Sequence, residues 1–187
     1  MTLEERYAWI RVRMNFQGMD SALRKIANDG FQRLVRRFRD LQIEVGADAV
    51  FSSLDAHRHP RFGLTIVLPD RPPLIWINLK KHNSAAEVVD TMVHESIHAT
   101  SAIISRHEIL PEPENERSYL GEEICALVGA NKLLNAIQFP AEHQISRNLD
   151  ILHNHSRHLR RLGCDRGFIR EREFEGRSAA EFLLGGV

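Results

Sequence analysis

The most informative stretch of this chain is Ser84-Ala-Ala-Glu-Val-Val-Asp-Thr-Met-Val-His-Glu-Ser-Ile-His98. It opens with a capping box, in which the Ser84 side chain accepts a hydrogen bond from the third helical N–H and Glu87 reaches back to the serine. Apolar residues then recur every four positions at Val89, Val93 and Ile97, which is the spacing of one buried helix face. The stretch therefore predicts an amphipathic helix that continues to about residue 105.

This helix contains the motif His94-Glu95-Ser-Ile-His98. Histidines four residues apart lie one turn apart on one helix face, where both imidazoles can bind a single Zn²⁺. Glu95 lies about 100° around the helix from His94, within reach of a water at the metal. A chain of this composition contains about 0.05 such motifs by chance, so we expect a metal site with Glu95 as the general base. A pair of surface histidines on an ordinary helix is the alternative.

A zinc site needs at least a third protein ligand, and the next predicted helix offers two adjacent carboxylates. This helix contains Tyr119-Leu-Gly-Glu-Glu-Ile-Cys-Ala126. Its small residues Ala126 and Ala130 allow a close approach to the histidine helix. We favour Glu123 over Glu122 as the ligand, because Glu123 then points to the metal on the face that also carries the tyrosine.

The spacing of these residues resembles that of known metallopeptidases. His94-Glu-Ser-Ile-His98 followed by Glu123-x-x-Ala126 resembles the gluzincin group of zinc metallopeptidases. Two families are similar in detail: the metallopeptidase domain of ArdC-type anti-restriction proteins, and the ImmA/IrrE metallopeptidases, which cleave repressors. The resemblance covers about residues 74–137 and implies a zincin-like fold, zinc bound by His94, His98 and Glu123, and Glu95 as the general base. No DNA-binding domain of either family is recognisable, so their biological roles do not transfer.

These residues together predict zinc-dependent hydrolysis of a peptide bond. Zn²⁺ lowers the pKa of its water toward ~7, and Glu95 takes the proton and returns it to the leaving amine. The oxyanion needs a second electrophile, for which Tyr119 is the candidate; a packed helix residue is the alternative. An extended substrate is expected to pair with an edge strand at Leu74–Leu79. Asp90, one turn before His94, or another carboxylate is expected to orient a ligand histidine.

The whole chain predicts an α+β architecture with a helical N-terminus, a small sheet containing an antiparallel hairpin, and a helical bundle that carries the metal site. We divide it into an N-terminal helical segment (1–47), a zincin-like metallopeptidase core (48–164) and a C-terminal helix or tail (165–187). The C-terminal helix is expected to be short, and its arginines interleave with acidic residues, which indicates an exposed helix. The hairpin has a loop of about five residues at Pro69–Pro73. The predicted strands are Ala49–Leu54, Gly63–Leu68 and Leu74–Leu79, and helices are predicted over about 84–105, 117–137 and 140–162.

The composition argues against several classes of protein. Lysine plus arginine and aspartate plus glutamate each total 25 in 187 residues, so no net charge attracts nucleic acid or an anionic membrane. The N-terminus lacks the apolar region of a signal peptide, and no apolar run approaches the roughly 18 residues that span a bilayer. We interpret Cys125 and Cys164 as reduced thiols and expect a cytoplasmic protein.

Three other functions remain open. The chain could be a zincin-fold regulatory protein that binds zinc without turnover, a DNA-associated protein that uses the basic helix face at Arg33–Arg39, or a hydrolase of a non-peptide bond. A peptide or protein is the expected partner, nucleic acid is not favoured, and the oligomeric state is not predicted. His153, His155 and His158 are interpreted as a polar helix surface.

Overall fold

The computed structural model describes Leu34, Arg36 and residues 44–47, 62–68, 71–77, 81–82, 85–105 and 115–185. This part of the chain is mostly helical. Its strands are β1 (Glu44–Ala47), β2 (Gly63–Leu68) and β3 (Arg71–Ile77), and its long helices are α1 (Ala85–Ser105), α2 (Glu116–Ala136), α3 (Glu142–Arg161) and α4 (Arg166–Leu183). The predicted strand Ala49–Leu54, the capping residue Ser84 and most of the predicted N-terminal helical segment lie outside the described residues.

The three described strands form one sheet in the order β1-β3-β2. β1 is parallel to β3 and β2 is antiparallel to it, with Thr65 opposite Ile75. β2 has the same bounds as the second strand in the sequence analysis. The sequence analysis did not anticipate β1, which lies within the segment assigned to 1–47.

The predicted hairpin loop of about five residues is wrong. Leu68 pairs with Arg71, so two residues connect the strands and both prolines after Arg71 belong to β3. Proline cannot donate to a ladder and is therefore tolerated at bulges and where a strand has few partners. Both conditions hold here, since the β2–β3 register shifts between Ile66 and Leu68, and pairing with β1 starts only at Leu74.

The predicted edge strand at Leu74–Leu79 is also wrong, because β3 lies between β1 and β2. Among the described strands, β2 is the edge next to α1. Ile75 of β3 is fully buried, as a residue of a central strand that faces helices should be.

The helices α1, α2 and α4 meet through small residues. Ala126 and Ala130 of α2 are fully buried, as expected for a helix that approaches its neighbours closely. A Cβ atom added at Gly129 would lie 2.7 Å from the Gly176 carbonyl oxygen of α4 and 2.8 Å from the Ile97 side chain of α1. The glycine therefore sets how near the three backbones come to one another.

The C-terminal segment is a long packed helix, whereas the sequence analysis expected a short exposed helix or a tail. The turn before α4 contains Gly163 at φ +84°, and the Asp165 side chain caps the helix by accepting a hydrogen bond from the Phe168 N–H at 2.8 Å. One face of α4 is buried against α1 and α2, and it carries Ile169, Gly176, Ala179, Ala180 and Leu183. The charged residues that suggested exposure occupy the opposite face.

None of the described helices combines the length and the apolar character that crossing a membrane requires.

Candidate metal centre

The two histidines of the motif meet at their Nε2 atoms. His94 and His98 lie one turn apart on α1, and their Nε2 atoms are 3.2 Å from each other with the rings tilted by 72°. Their side chains are 18% and 12% exposed, so both remain partly accessible to solvent. The four-residue spacing thus places two nitrogen ligands at one point, as the helical period dictates.

The Glu123 carboxylate of α2 completes this group. Its Oε2 atom lies 3.4 Å from His94 Nε2 and its Oε1 atom lies 3.8 Å from His98 Nε2. The neighbouring Glu122 lies instead 3.9 Å from the other ring nitrogen, Nδ1 of His98, and its side chain is 41% exposed. Of the two adjacent carboxylates, Glu123 therefore shares a point with the histidines and Glu122 lies outside it.

The spacing of these three groups suits a metal ion. One ligand atom from each of His94, His98 and Glu123 lies within 4.8 Å of the others, and the described residues contain no other group of this kind. Ligands at about 2.0–2.1 Å from a tetrahedral zinc ion are about 3.3 Å apart, which is close to the observed separations of 3.2, 3.4 and 3.8 Å. The cluster could hold a metal ion, and a donor set of two imidazoles and one carboxylate is one that zinc accepts.

The charges in this group stabilise one another. Burial disfavours the charged form of His94, but the hydrogen bond and the negative charge of Glu123 raise the pKa of His94 to about 9. Burial likewise disfavours the Glu123 carboxylate, yet the hydrogen bond and charge of His94 lower the pKa of Glu123 to about 2. The cluster therefore favours a negative carboxylate facing a positive charge.

Glu95 lies beside the cluster and is held by the edge strand β2. It is 8% exposed, and the Thr65 hydroxyl lies 2.7 Å from its Oε2 atom and 2.9 Å from its main-chain oxygen. A Cβ atom added at Gly63 would lie 2.8 Å from the Cγ and Oε1 atoms of Glu95. Gly63 therefore makes the space that this side chain occupies, and Thr65 fixes its carboxylate. The sequence analysis missed both residues.

A polar network connects the histidine helix to α2 and α3. The Asn148 amide donates to the Asp90 carboxylate at 2.9 Å and to Asn131 Oδ1 at 3.1 Å. Burial raises the pKa of Asp90, although the hydrogen bond from Asn148 and the charge of His94 both oppose the rise. Asp90 was proposed to orient a ligand histidine; the structure shows its carboxylate bound to Asn148, with its charge acting on His94 from one turn away.

Tyr119 and Cys125 lie on the same helix as Glu123. Tyr119 precedes Glu123 by one turn and is 43% exposed. Cys125 is buried beside Ser101 at 3.4 Å, and burial raises the pKa of its thiol to about 11, which suits a packed thiol better than a metal ligand.

His155 of α3 is a further site residue that the sequence analysis assigned to a polar surface. It is half-buried, whereas His153 and His158 are exposed. Buried and half-buried side chains recur along α3 at helical spacing, and this stripe consists of Gln144, Asn148, Leu152, His155 and Leu159. That spacing was the available signal, because it places His155 on the face that packs against α2.

The register of α3 on α2 places His155 near the cluster. The two helices are antiparallel, with Asn148 bonded to Asn131 near one end and His158 Nε2 lying 3.3 Å from Glu116 Oε1 near the other. His155 lies one turn from His158 and is therefore level with the turns around Tyr119 and Glu123. Burial lowers the pKa of His155, and the negative charge of Glu123 opposes that shift.

Comparison with known proteins identifies no relative: no family model matches this sequence, and no curated protein or solved structure is significantly similar to it.

We predict that zinc binding depends on Glu123 and not on Glu122. The Glu123→Ala variant should lose most of the roughly one equivalent of zinc bound per chain, because a site of only two histidines is incomplete. Glu122→Ala should keep it. Elemental analysis of the two variants and the wild type measures this directly. Equal zinc contents in both variants would contradict the assignment.

We predict that the metal-free protein loses stability above neutral pH. The raised pKa of His94 stabilises the fold fully below its ordinary value of 6.5, and this contribution is lost as the pH rises toward 9. The lowered pKa of Glu123 stabilises the fold above its ordinary value of 4.5, and this contribution is lost as the pH falls toward 2.

Urea unfolding with a chelator present tests this prediction, with Glu123→Gln as the control. The stability advantage of the wild type over the variant should be largest between pH 4.5 and 6.5 and should shrink toward pH 9. An advantage that stays constant over that range would show that the two side chains are not coupled.

Proposed function

We propose that this protein is a zinc-dependent metallopeptidase of the gluzincin type, with a zincin-like arrangement of helices and sheet. The observation that supports this most strongly is the convergence of His94, His98 and Glu123 from two helices on one point, with the buried carboxylate of Glu95 beside it. A non-catalytic zinc site has no use for that carboxylate, and therefore the silent alternative is the weaker one.

Zinc bound by these residues would polarise a substrate carbonyl and lower the pKa of the attacking water. Glu95 would take the proton of that water and deliver it to the leaving nitrogen. The Thr65 hydroxyl, at 2.7 Å from Oε2, holds the Glu95 carboxylate in place. A carboxylate fixed in this way needs little rearrangement to reach the reacting atoms.

An extended peptide substrate would lie along β2, which is the edge strand next to α1 among the described strands. Strand addition at this edge would supply main-chain hydrogen bonds that do not depend on the substrate sequence. Because Thr65 of β2 contacts Glu95, the same strand would bring a peptide bond near the base. In this proposal β2 takes the place of Leu74–Leu79 as the strand that pairs with the substrate.

Two residues could donate a hydrogen bond to the developing oxyanion. Tyr119 is one turn from Glu123 on α2, and His155 faces the same turns from α3. His155 is the more enclosed of the two, and a donor that is shielded from water stabilises charge more strongly. We propose a peptide or protein substrate and do not favour nucleic acid as a partner; the cytoplasmic location stays a prediction.

Replacing Glu95 by glutamine should abolish hydrolysis without removing the metal. The amide cannot accept the proton, and loss of a general base lowers kcat by about 10²–10⁴-fold. The measurement is the cleavage of a denatured protein by zinc-loaded wild type and variant, with zinc content determined on the same samples. Full activity in Glu95→Gln, or no activity in the zinc-loaded wild type, would refute the proposal.

Removing the Thr65 hydroxyl should lower kcat while zinc content and KM stay close to those of the wild type. Thr65→Val has nearly the same shape but removes the Thr65 hydroxyl from the Glu95 carboxylate, and we expect a loss of about tenfold in kcat. Thr65→Ser keeps the hydroxyl and should restore most of the rate. If valine and serine variants have the same kcat, Thr65 has only a packing role.

A further inference from the structure

An exposed aromatic ring at the start of β2 is surrounded by basic side chains. Phe62 precedes the strand and is 40% exposed. Lys81 Nζ lies 5.3 Å from its ring centroid, Arg147 Cζ of α3 lies 5.7 Å from it, and the His82 ring contacts it edge-on at 5.6 Å. These four residues, which we call the Phe62 cluster, come from three separate parts of the chain.

The Phe62 cluster borders the proposed catalytic site. His82 Nε2 lies 2.8 Å from the Thr91 hydroxyl, and Thr91 is one turn before His94 on α1. Gly63, the residue after Phe62, packs so closely on α1 that an added Cβ atom would meet both Thr91 and Glu95. A peptide that extends along β2 past Glu95 would therefore pass the Phe62 ring and the cations beside it.

The positive charge of the cluster is local and is available to a ligand. The chain as a whole has no net charge. Among the described residues, Lys81 and Arg147 form no salt bridge, and both cations lie over the Phe62 ring. The nearby Asp90 carboxylate acts on Arg147 and His82 by its charge, but it is largely buried and bonded to Asn148. Arg147 is exposed and Lys81 is half-buried, and cations held over a ring in this way are well placed to bind a carboxylate.

We propose that the Phe62 cluster is a specificity subsite that binds an acidic side chain of the peptide substrate near the bond to be cleaved. This rests on the proposed peptidase function. The guanidinium of Arg147 and the ammonium of Lys81 bind the carboxylate of a substrate Glu or Asp, and the exposed Phe62 ring packs against the methylene groups next to it.

An acidic peptide fits this surface better than a nucleic acid does. A nucleic acid is bound through a stripe of cations that follows several phosphates. The Phe62 cluster has two permanent cations on one ring and lies at the end of an edge strand. That arrangement suits one carboxylate on a chain that pairs with the strand.

Binding can be measured separately from cleavage with the zinc-loaded Glu95→Gln variant. The probes are short fluorescein-labelled peptides with a single Glu at each position in turn, and matched peptides with Gln in its place. At the best position, we expect the Glu peptide to bind about tenfold more tightly by fluorescence anisotropy, as for one hydrogen bond to a charged group. Adding Arg147→Glu or Lys81→Glu should abolish this preference. Arg160→Glu, an exposed change on the same helix, should retain it.

Three results would overturn the subsite. The Glu and Gln peptides could bind with equal affinity, neither peptide could bind measurably, or Arg160→Glu could lose the preference for Glu as the cluster variants do. The subsite would also be overturned, in favour of a nucleic-acid surface, if the protein bound a single-stranded oligonucleotide through Arg147 and bound the Glu and Gln peptides equally. Cleavage of the peptide pool by wild type separates the two proposals. Cleavage without an acidic preference refutes the subsite alone, whereas acidic binding without any cleavage refutes the peptidase alone.

Discussion

The close approach of α2 to α1 is the constraint on which the candidate site depends. A glutamate side chain is short, so Glu123 reaches the two histidines only if the helix backbones pack with small residues between them. Gly129 provides this contact, because a Cβ atom there would collide with both Ile97 and Gly176. The fully buried Ala126 and Ala130 add two small side chains within one turn of Gly129. Core packing therefore sets the distance between the carboxylate and the imidazoles.

This geometry also means that the cluster favours a cation. A carboxylate facing two half-buried imidazoles is stable when a positive charge lies between them. A proton on His94 supplies one such charge, which is why its pKa rises to about 9 despite burial. A divalent cation would supply two charges at the same place and would have to displace that proton, so metal affinity must increase with pH. The same contacts therefore stabilise the fold and prepare the site for a cation.

The features that the sequence predicted well are those determined locally. The positions of His94, Glu95 and His98 follow from the helical period alone, and the bounds of α1 and α2 lie within a residue or so of those expected. Glu123 was inferred from small residues at helical spacing, which is a local signal of a tertiary contact. The predicted bounds of β3 were wrong, because whether a strand can include prolines depends on which neighbouring strands pair with it at those positions. The burial of α4 was missed for a similar reason, since charged residues on one face concealed the small residues that pack on the other.

The residues that hold the proposed base could not be found from the sequence because they act through the sheet. Side chains alternate along a strand, so Gly63 and Thr65 both face α1, where one makes room for Glu95 and the other binds it. A shift of β2 by one residue would turn both away, so the register that pairs Thr65 with Ile75 also positions the proposed base. Strand hydrogen bonds lie in the plane of the sheet, at right angles to these side chains. One edge strand can thus orient the base with its side chains and still offer its backbone to a substrate.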